Sequence, residues 1–123
     1  GLSYYKSQVR SSHVKDGTSN TYLVGEKSLN PDAYQNGMSA GDDNCVYGGH
    51  DWDISRWTNL AYAPRRDTAG VSLPERFGSA HASGFQVVMC DGSVHGVSYS
   101  VEPEIHRRLG NRHDGETVDV GSL

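Results

Sequence analysis

The chain has 123 residues with 11 Lys and Arg against 15 Asp and Glu, a net charge of −4. That length predicts one domain, and the charge offers no basic stripe for nucleic acid. No run approaches the ~20 apolar residues of a membrane span. Leu, Ile, Val and Phe number 7, 2, 12 and 2, below the roughly one-fifth of residues that supports a self-sufficient core. Seven Tyr and two Trp add burial, and the modest net charge argues against a disordered chain. Fifteen glycines favour many turns over long helices.

In chain order, Ser11–Lys15 predicts a helical turn that Asp16-Gly17 ends. Thr21–Lys27, TYLVGEK, reads as a strand with Tyr22 and Val24 on one face and Leu23 and Gly25 on the other. Asn30-Pro31-Asp32 opens a turn. Asn36–Asp53 is rich in Gly, Asp and Asn and reads as irregular; Arg56–Ala63 is an anchoring segment through Trp57, Leu60 and Tyr62; Pro64–Arg76 is a loop. Phe85–Cys90 and Ser93–Val101 are apolar runs with β-branched residues, joined by Asp91-Gly92. Such a two-residue link predicts a type I′ hairpin. In that register Met89 faces Val94, Val87 faces Gly96 and Phe85 faces Ser98. The predicted core face is then Phe85, Val87, Met89 and Val94, with small Gly96 and Ser98 leaving room for another element to approach. Pro103–Leu109 suits a short helix, with Pro at its first position, Glu104 near the positive end and Arg107 and Arg108 near the negative end. Glu104 can pair with Arg108 at i, i+4, Gly110 is a natural stop, and Ile105 and Leu109 share the docking face. The polar tail from Asn111 is left to its last valines for anchorage.

Three blocks in order carry a resemblance: QVRSSHVKDGTSNTYLVGEKSLNPDAY (Gln8–Tyr34), GDDNCVYGGHDWDISRW (Gly41–Trp57) and FGSAHASGFQVVMCDGSVHGVSYSV (Phe77–Val101), the last running on through Val118. In the third block nine residues separate His81 from Asp91-Gly92. The pattern resembles the bacterial H-x9-DG pilin-like family, catalogued as a domain of unknown function and also under solute-binding labels. The resemblance implies a loop-rich α+β fold, an antiparallel β-sheet head with a short C-terminal helix. Family members begin with a prepilin-type signal and a long hydrophobic helix. Gly1–Arg10, GLSYYKSQVR, is neither, so residues 1–123 look like the C-terminal globular domain alone. The implied function is that of a non-enzymatic structural subunit of an extracellular or cell-surface pilus or pseudopilus-like filament. Its partners would be copies of itself or a pilin-like chain supplying the N-terminal hydrophobic helix, with no nucleic acid and no membrane span in this chain. The rival readings are an extracellular ligand- or glycan-binding module built on Gly41–Tyr62, and a hydrolase using His81 with Asp91.

The loop GDDNCVYGGHDWD gathers Asp42, Asp43, Asn44, Asp51 and Asp53 between flexible glycines. Calcium takes six to eight oxygens from pliable loops, which makes these five residues candidate calcium ligands without EF-hand spacing; related pseudopilins that bind calcium in a C-terminal loop point the same way. The same residues also form Asx-turns that cap irregular backbone. Cys45 and Cys90 are the only cysteines, and an extracellular setting favours a disulfide between them over two separate thiols. His81, Asp91 and Gly92 read as a structural motif, His81 bracing the loop before the hairpin through its ring nitrogens. The sequence has no G-x-S-x-G, H-E-x-x-H or C-x-x-C. His13, His50, His95, His106 and His113 lack metal spacing. Tyr47, Trp52, Trp57 and Tyr62 make either a sugar-binding surface or a secondary core.

Overall fold

The computed structural model describes residues 1–45, 47–119, 121 and 123. Three strands, β1 (Tyr22–Gly25), β2 (Gly84–Met89) and β3 (Val94–Ser98), form one antiparallel sheet in the order β1-β2-β3. One helix follows, α1 (Pro103–Leu109), over the residues its end signals predict. Single 3-10 turns occupy Ser11–His13, Thr18–Asn20 and Pro31–Ala33, the last capped by Asn30, whose side chain accepts from Asp32 N–H at 3.1 Å. The other described residues form loops and turns, with isolated bridges between Lys27 and Phe77 and between Trp57 and Arg76. Among the described residues no helix is long and apolar enough to cross a membrane.

The hairpin forms, but one register step away from the expected one. Val88 pairs with Val94, Val87 with His95 and Phe85 with Val97. The connection is a three-residue turn, Cys90-Asp91-Gly92: Gly92 N–H donates to Met89 C=O at 3.0 Å and Met89 N–H to Ser93 C=O at 2.8 Å. A type I′ turn needs φ > 0 at both central residues. Here Gly92 alone is left-handed, at φ +88°, while Asp91 keeps an ordinary backbone. This is a type I turn closed by a left-handed glycine bulge, which the same Asp-Gly pair also serves.

A one-residue slip moves every β3 side chain to the other face. Val97 therefore enters the core at 1% exposure, and Val94, expected inside, is 64% exposed. Strand β1 departs similarly. Tyr22 pairs with Met89 and Val24 with Val88, so Leu23 is an extra residue in a bulge. Tyr22 is buried while Leu23 and Val24 both face solvent, rather than Tyr22 and Val24 sharing a face.

The core comprises Tyr22, Phe77, Phe85, Val87, Met89, Val97, Val101 and Leu109, with Tyr99, Ile105 and Val118 packed against it. Gly25 lets Phe77 lie across β1: a Cβ there would stand 2.9 Å from the Phe77 ring and 3.0 Å from Val87 Cγ1. Helix α1 brings Leu109 into this core, as its periodicity predicts, and also His106, which sequence reasoning passed over. Glu104 pairs with Arg108 at 3.1 Å as expected, and with Arg107 at 2.7 Å. The tail is held by more than apolar contact. Buried Asp16 accepts from Asp114 N–H at 2.9 Å and Gly115 N–H at 2.8 Å, and Arg107 and Arg108 reach Asp114 and Glu116. Of the last valines, Val118 packs on the core and Val120 lies outside the described residues.

Among the described residues no helix or strand is seated over the opposite sheet face, whose Val24 edge borders Ile54 and Trp57. Val24, Val88 and Val94 stand in register across the three strands, Val24 and Val94 at 58% and 64% exposure, beside Gly96 and Ser98. The observed register predicts that Val97→Ala costs about 2 kcal/mol by leaving a cavity, while Val94→Thr stays within about 0.5 kcal/mol. Denaturant unfolding of the two variants checks this; the reverse order of losses would restore the two-residue turn.

Candidate functional site

The motif residues His81 and Asp91 occupy opposite ends of β2. Six strand residues at ~3.3 Å each hold them about 20 Å apart. A general base and its orienting carboxylate must lie within hydrogen-bond reach, so this pair forms no dyad.

At the upstream end, the loop before β2 is fixed by Tyr99 rather than by the His81 ring. The Tyr99 hydroxyl accepts from Ser79 N–H at 3.1 Å and lies 3.1 and 3.2 Å from the carbonyls of Ser79 and His81, to which it donates. Ser79 Oγ adds bonds to Gly84 C=O at 2.9 Å and from His81 N–H at 3.1 Å. The His81 ring is not the brace expected of it. It is largely exposed, with Nε2 at 3.6 Å from Glu26 Oε1, and Glu26 in turn accepts from Gln86 N–H at 2.7 Å.

At the downstream end, Asp91 Oδ1 accepts from Ser93 N–H at 2.9 Å and from Ser93 Oγ at 2.7 Å, and Ser93 Oγ lies 3.1 Å from His95 Nε2. The Ser93 hydroxyl and then its N–H hold the Asp91 carboxyl below the ordinary carboxylate range. The order is carboxylate, hydroxyl, imidazole. In a nucleophilic triad the imidazole stands between the other two; here the Ser93 hydroxyl donates to the Asp91 carboxylate instead of to His95, so the serine is not activated. The hairpin tip is also tied to the segment before β1, with Asp91 N–H donating to Thr18 C=O at 3.0 Å and Cys90 N–H to Thr21 C=O at 2.9 Å.

The acidic loop is organised by an internal cation. Lys27 Nζ lies 2.6 Å from Asp42 Oδ1, 2.7 Å from Gly41 C=O and 3.3 Å from Asp53 C=O. Arg56 bonds the carbonyls of Gly41, Trp52 and Ser55. The Asp53 carboxylate turns to Asn44, accepting from its N–H at 2.8 Å and approaching its amide Nδ2 at 3.5 Å. Burial alone would raise the Asp53 carboxyl, but the two Asn44 bonds and the Lys27 charge hold it below its ordinary value. Asp43 meets the Asn44 side chain and Asp51 meets Trp52 N–H. The five expected ligands thus do not converge: among the described residues no group of three or more His, Cys, Asp or Glu side chains is placed to hold a metal ion. Asp42 is engaged by the Lys27 ammonium, Asp43 and Asp53 by Asn44, and Asp51 by the Trp52 N–H.

Cys45 and Cys90 are free thiols, Cys45 exposed and Cys90 half-buried, instead of the expected disulfide. Burial, with Asp91 beside it, pushes the Cys90 thiol up, away from a reactive thiolate. The four aromatics divide. Trp57 and Tyr62, both half-buried, pack together with centroids 6.3 Å apart, and Arg76 lies over the Tyr62 ring. Tyr47 and Trp52 face solvent, Tyr47 at 93% exposure. An open groove of about 510 Å³ runs beside β1, lined among others by Leu23, Val24, Ile54 and Trp57.

Sequence reasoning missed Lys27 and Tyr99. For Tyr99 the available signal was a tyrosine just past β3; Lys27 lies fourteen residues before Gly41 and gave none.

Tyr99→Phe is expected to cost about 1–2 kcal/mol and to speed amide exchange at Ser79 and His81; unchanged exchange there would show that the hydroxyl does not hold the loop. Lys27→Met is expected to cost about 1–2 kcal/mol, whereas calcium or EDTA leaves the wild-type Tm in place. A Tm that rises with calcium would put an ion in the loop.

The model of a family described as a protein of unknown function (DUF1559), labelled SBP_bac_10, matches residues 1–104, a range that includes His81, Asp91 and Gly92. No curated protein and no solved structure matches the chain.

Proposed function

We propose, for a chain that belongs to the DUF1559 family through residues 1–104, a structural and non-enzymatic function: the globular head of a pilin- or pseudopilin-like subunit that assembles into an extracellular filament. The single observation that carries this reading is the exposed apolar row on the sheet face away from the core. Val24, Val88 and Val94 form an apolar row across all three strands, next to Gly96 and Ser98, where a second element can approach closely. Exposed apolar rows of this kind are interaction surfaces or aggregation liabilities. A long hydrophobic helix of a pilin-like subunit suits the row, since it would cover the valines and pack near the small residues. The motif supports the reading too, because both of its ends are engaged in loop and turn hydrogen bonds.

A second reading, an extracellular glycan-binding module, is favoured by exposed Tyr47 and Trp52 on the acidic loop. One pair of variants separates the two. Val94→Glu is expected to keep the head folded, with Tm within about 3 °C of wild type, and to abolish filaments in the surface-sheared fraction of producing cells. Filaments at wild-type level from folded Val94→Glu would contradict the proposal. Saturable glycan binding, lost in Tyr47→Ala and Trp52→Ala, would favour the second reading.

A further inference from the structure

His106 lies at the centre of the apolar core, 1% exposed. The ring centroids of Tyr22, Phe77 and Phe85 stand 5.7, 5.5 and 6.0 Å from its own. Its Nδ1 is 3.4 Å from the Tyr22 hydroxyl, and its buried Nε2 has no hydrogen-bond partner among the described residues. From β1 the Tyr22 hydroxyl faces the ring. From β2 and the preceding loop Phe85 and Phe77 bring only carbon. Just after β3, Tyr99 stacks on Phe85 but turns its hydroxyl to Ser79 and His81. On α1, Glu104, Arg107 and Arg108 engage one another, Asp114 and Glu116, and among the described residues no ion pair reaches His106.

One neutral tautomer suits this setting. Tyr22 Oη donates to Nδ1, and the Nε2–H edge remains among the two phenylalanines, whose rings stand at 87° and 88° to the imidazole. A second proton on Nδ1 removes the acceptor from Tyr22 and creates a buried charge without a counter-ion, which is costly in an apolar interior. Helix α1 has seven residues, too few to persist without packing. Its attachment depends on the same two buried side chains, His106 and Leu109.

We infer that His106 is an acid-sensitive latch: proton uptake from solvent at Nδ1 releases α1 from the core face of the sheet. The β1–β2 and β2–β3 ladders do not involve α1 and stay in place. Burial pushes the imidazole from 6.5 down to about 4. The docked state therefore holds its full advantage above pH 6.5. It loses that advantage as the pH falls toward 4, because the released helix accepts a proton that the docked one excludes. Between pH 7.5 and 4.5 this weakens docking by roughly 70-fold.

Hydrogen exchange on the whole chain tests the latch. After correction for intrinsic rates, protection of the His106 amide in α1 and of the Gly110 amide that caps it is expected to fall by roughly 70-fold from pH 7.5 to 4.5. The Met89 amide in the hairpin should keep its protection, and His106→Phe should abolish the helix response. The ring titration of His106, followed by NMR in the wild type, is expected to run far below 6.5, and it decides the matter should His106→Phe fail to fold. A ring titrating near 6.5, an unchanged response in folded His106→Phe, or helix and sheet losing protection together would each overturn the latch.

Discussion

The rest of the structure depends on how the hairpin turns. In a half-buried strand the side-chain period is two, so the loop between β2 and β3 selects which alternate set reaches the core. Gly92 at φ +88° closes a three-residue connection, and the Asp91 carboxylate fixes its far side by accepting from both the backbone and the hydroxyl of Ser93. Val97 then packs against Phe85, Val87 and Met89, and Val101 follows it into the cluster. The sheet is left with one face closed by α1 and one face open. Had the turn been shorter by one residue, Val94 would be inside and the open face would carry Val97.

This constraint gives a physical meaning to the nine-residue spacing between His81 and Asp91-Gly92. The interval is the length of a strand plus its entry, so the motif marks where β2 begins and where it turns. Each end is fastened by its own hydrogen bonds, Tyr99 and Ser79 at one, Ser93, Thr18 and Thr21 at the other. The side chains that invite a catalytic reading are distributed against it. The His81 ring meets Glu26 at the surface, and the serine beside Asp91 separates the carboxylate from His95. The acidic loop follows the same pattern, with Lys27 and Arg56 supplying from within the positive charge that its composition asks for.

Much of the architecture was legible where local rules act alone. The α1 range followed from Pro103, the Glu104–Arg108 pair and Gly110, and the two hairpin strands from their β-branched runs. The register was not legible, because Asp-Gly satisfies both a two-residue I′ turn and a type I turn with a glycine bulge. Only the competition between burying Val94 and burying Val97 separates them. The bulge at Leu23 has the same origin, since it depends on which partner β1 meets. His106 was legible in part: it lies three residues before Leu109, on the face already assigned to docking. It was passed over because a histidine invites a search for metal spacing before a search for a helix face. Lys27 was invisible as a loop organiser because its contacts at Gly41, Asp42 and Asp53 depend on how the irregular segment folds back.

The central claim is that the two ends of the H-x9-DG motif act as separate structural fasteners and share no site. A double-mutant cycle of His81→Ala and Asp91→Ala, read by denaturant unfolding, tests it most directly. Groups this far apart with no shared partner should be additive, so the double variant is expected to lose the sum of the two single losses. A coupling energy clearly outside the error of the cycle would mean that the two residues meet, and would contradict the account.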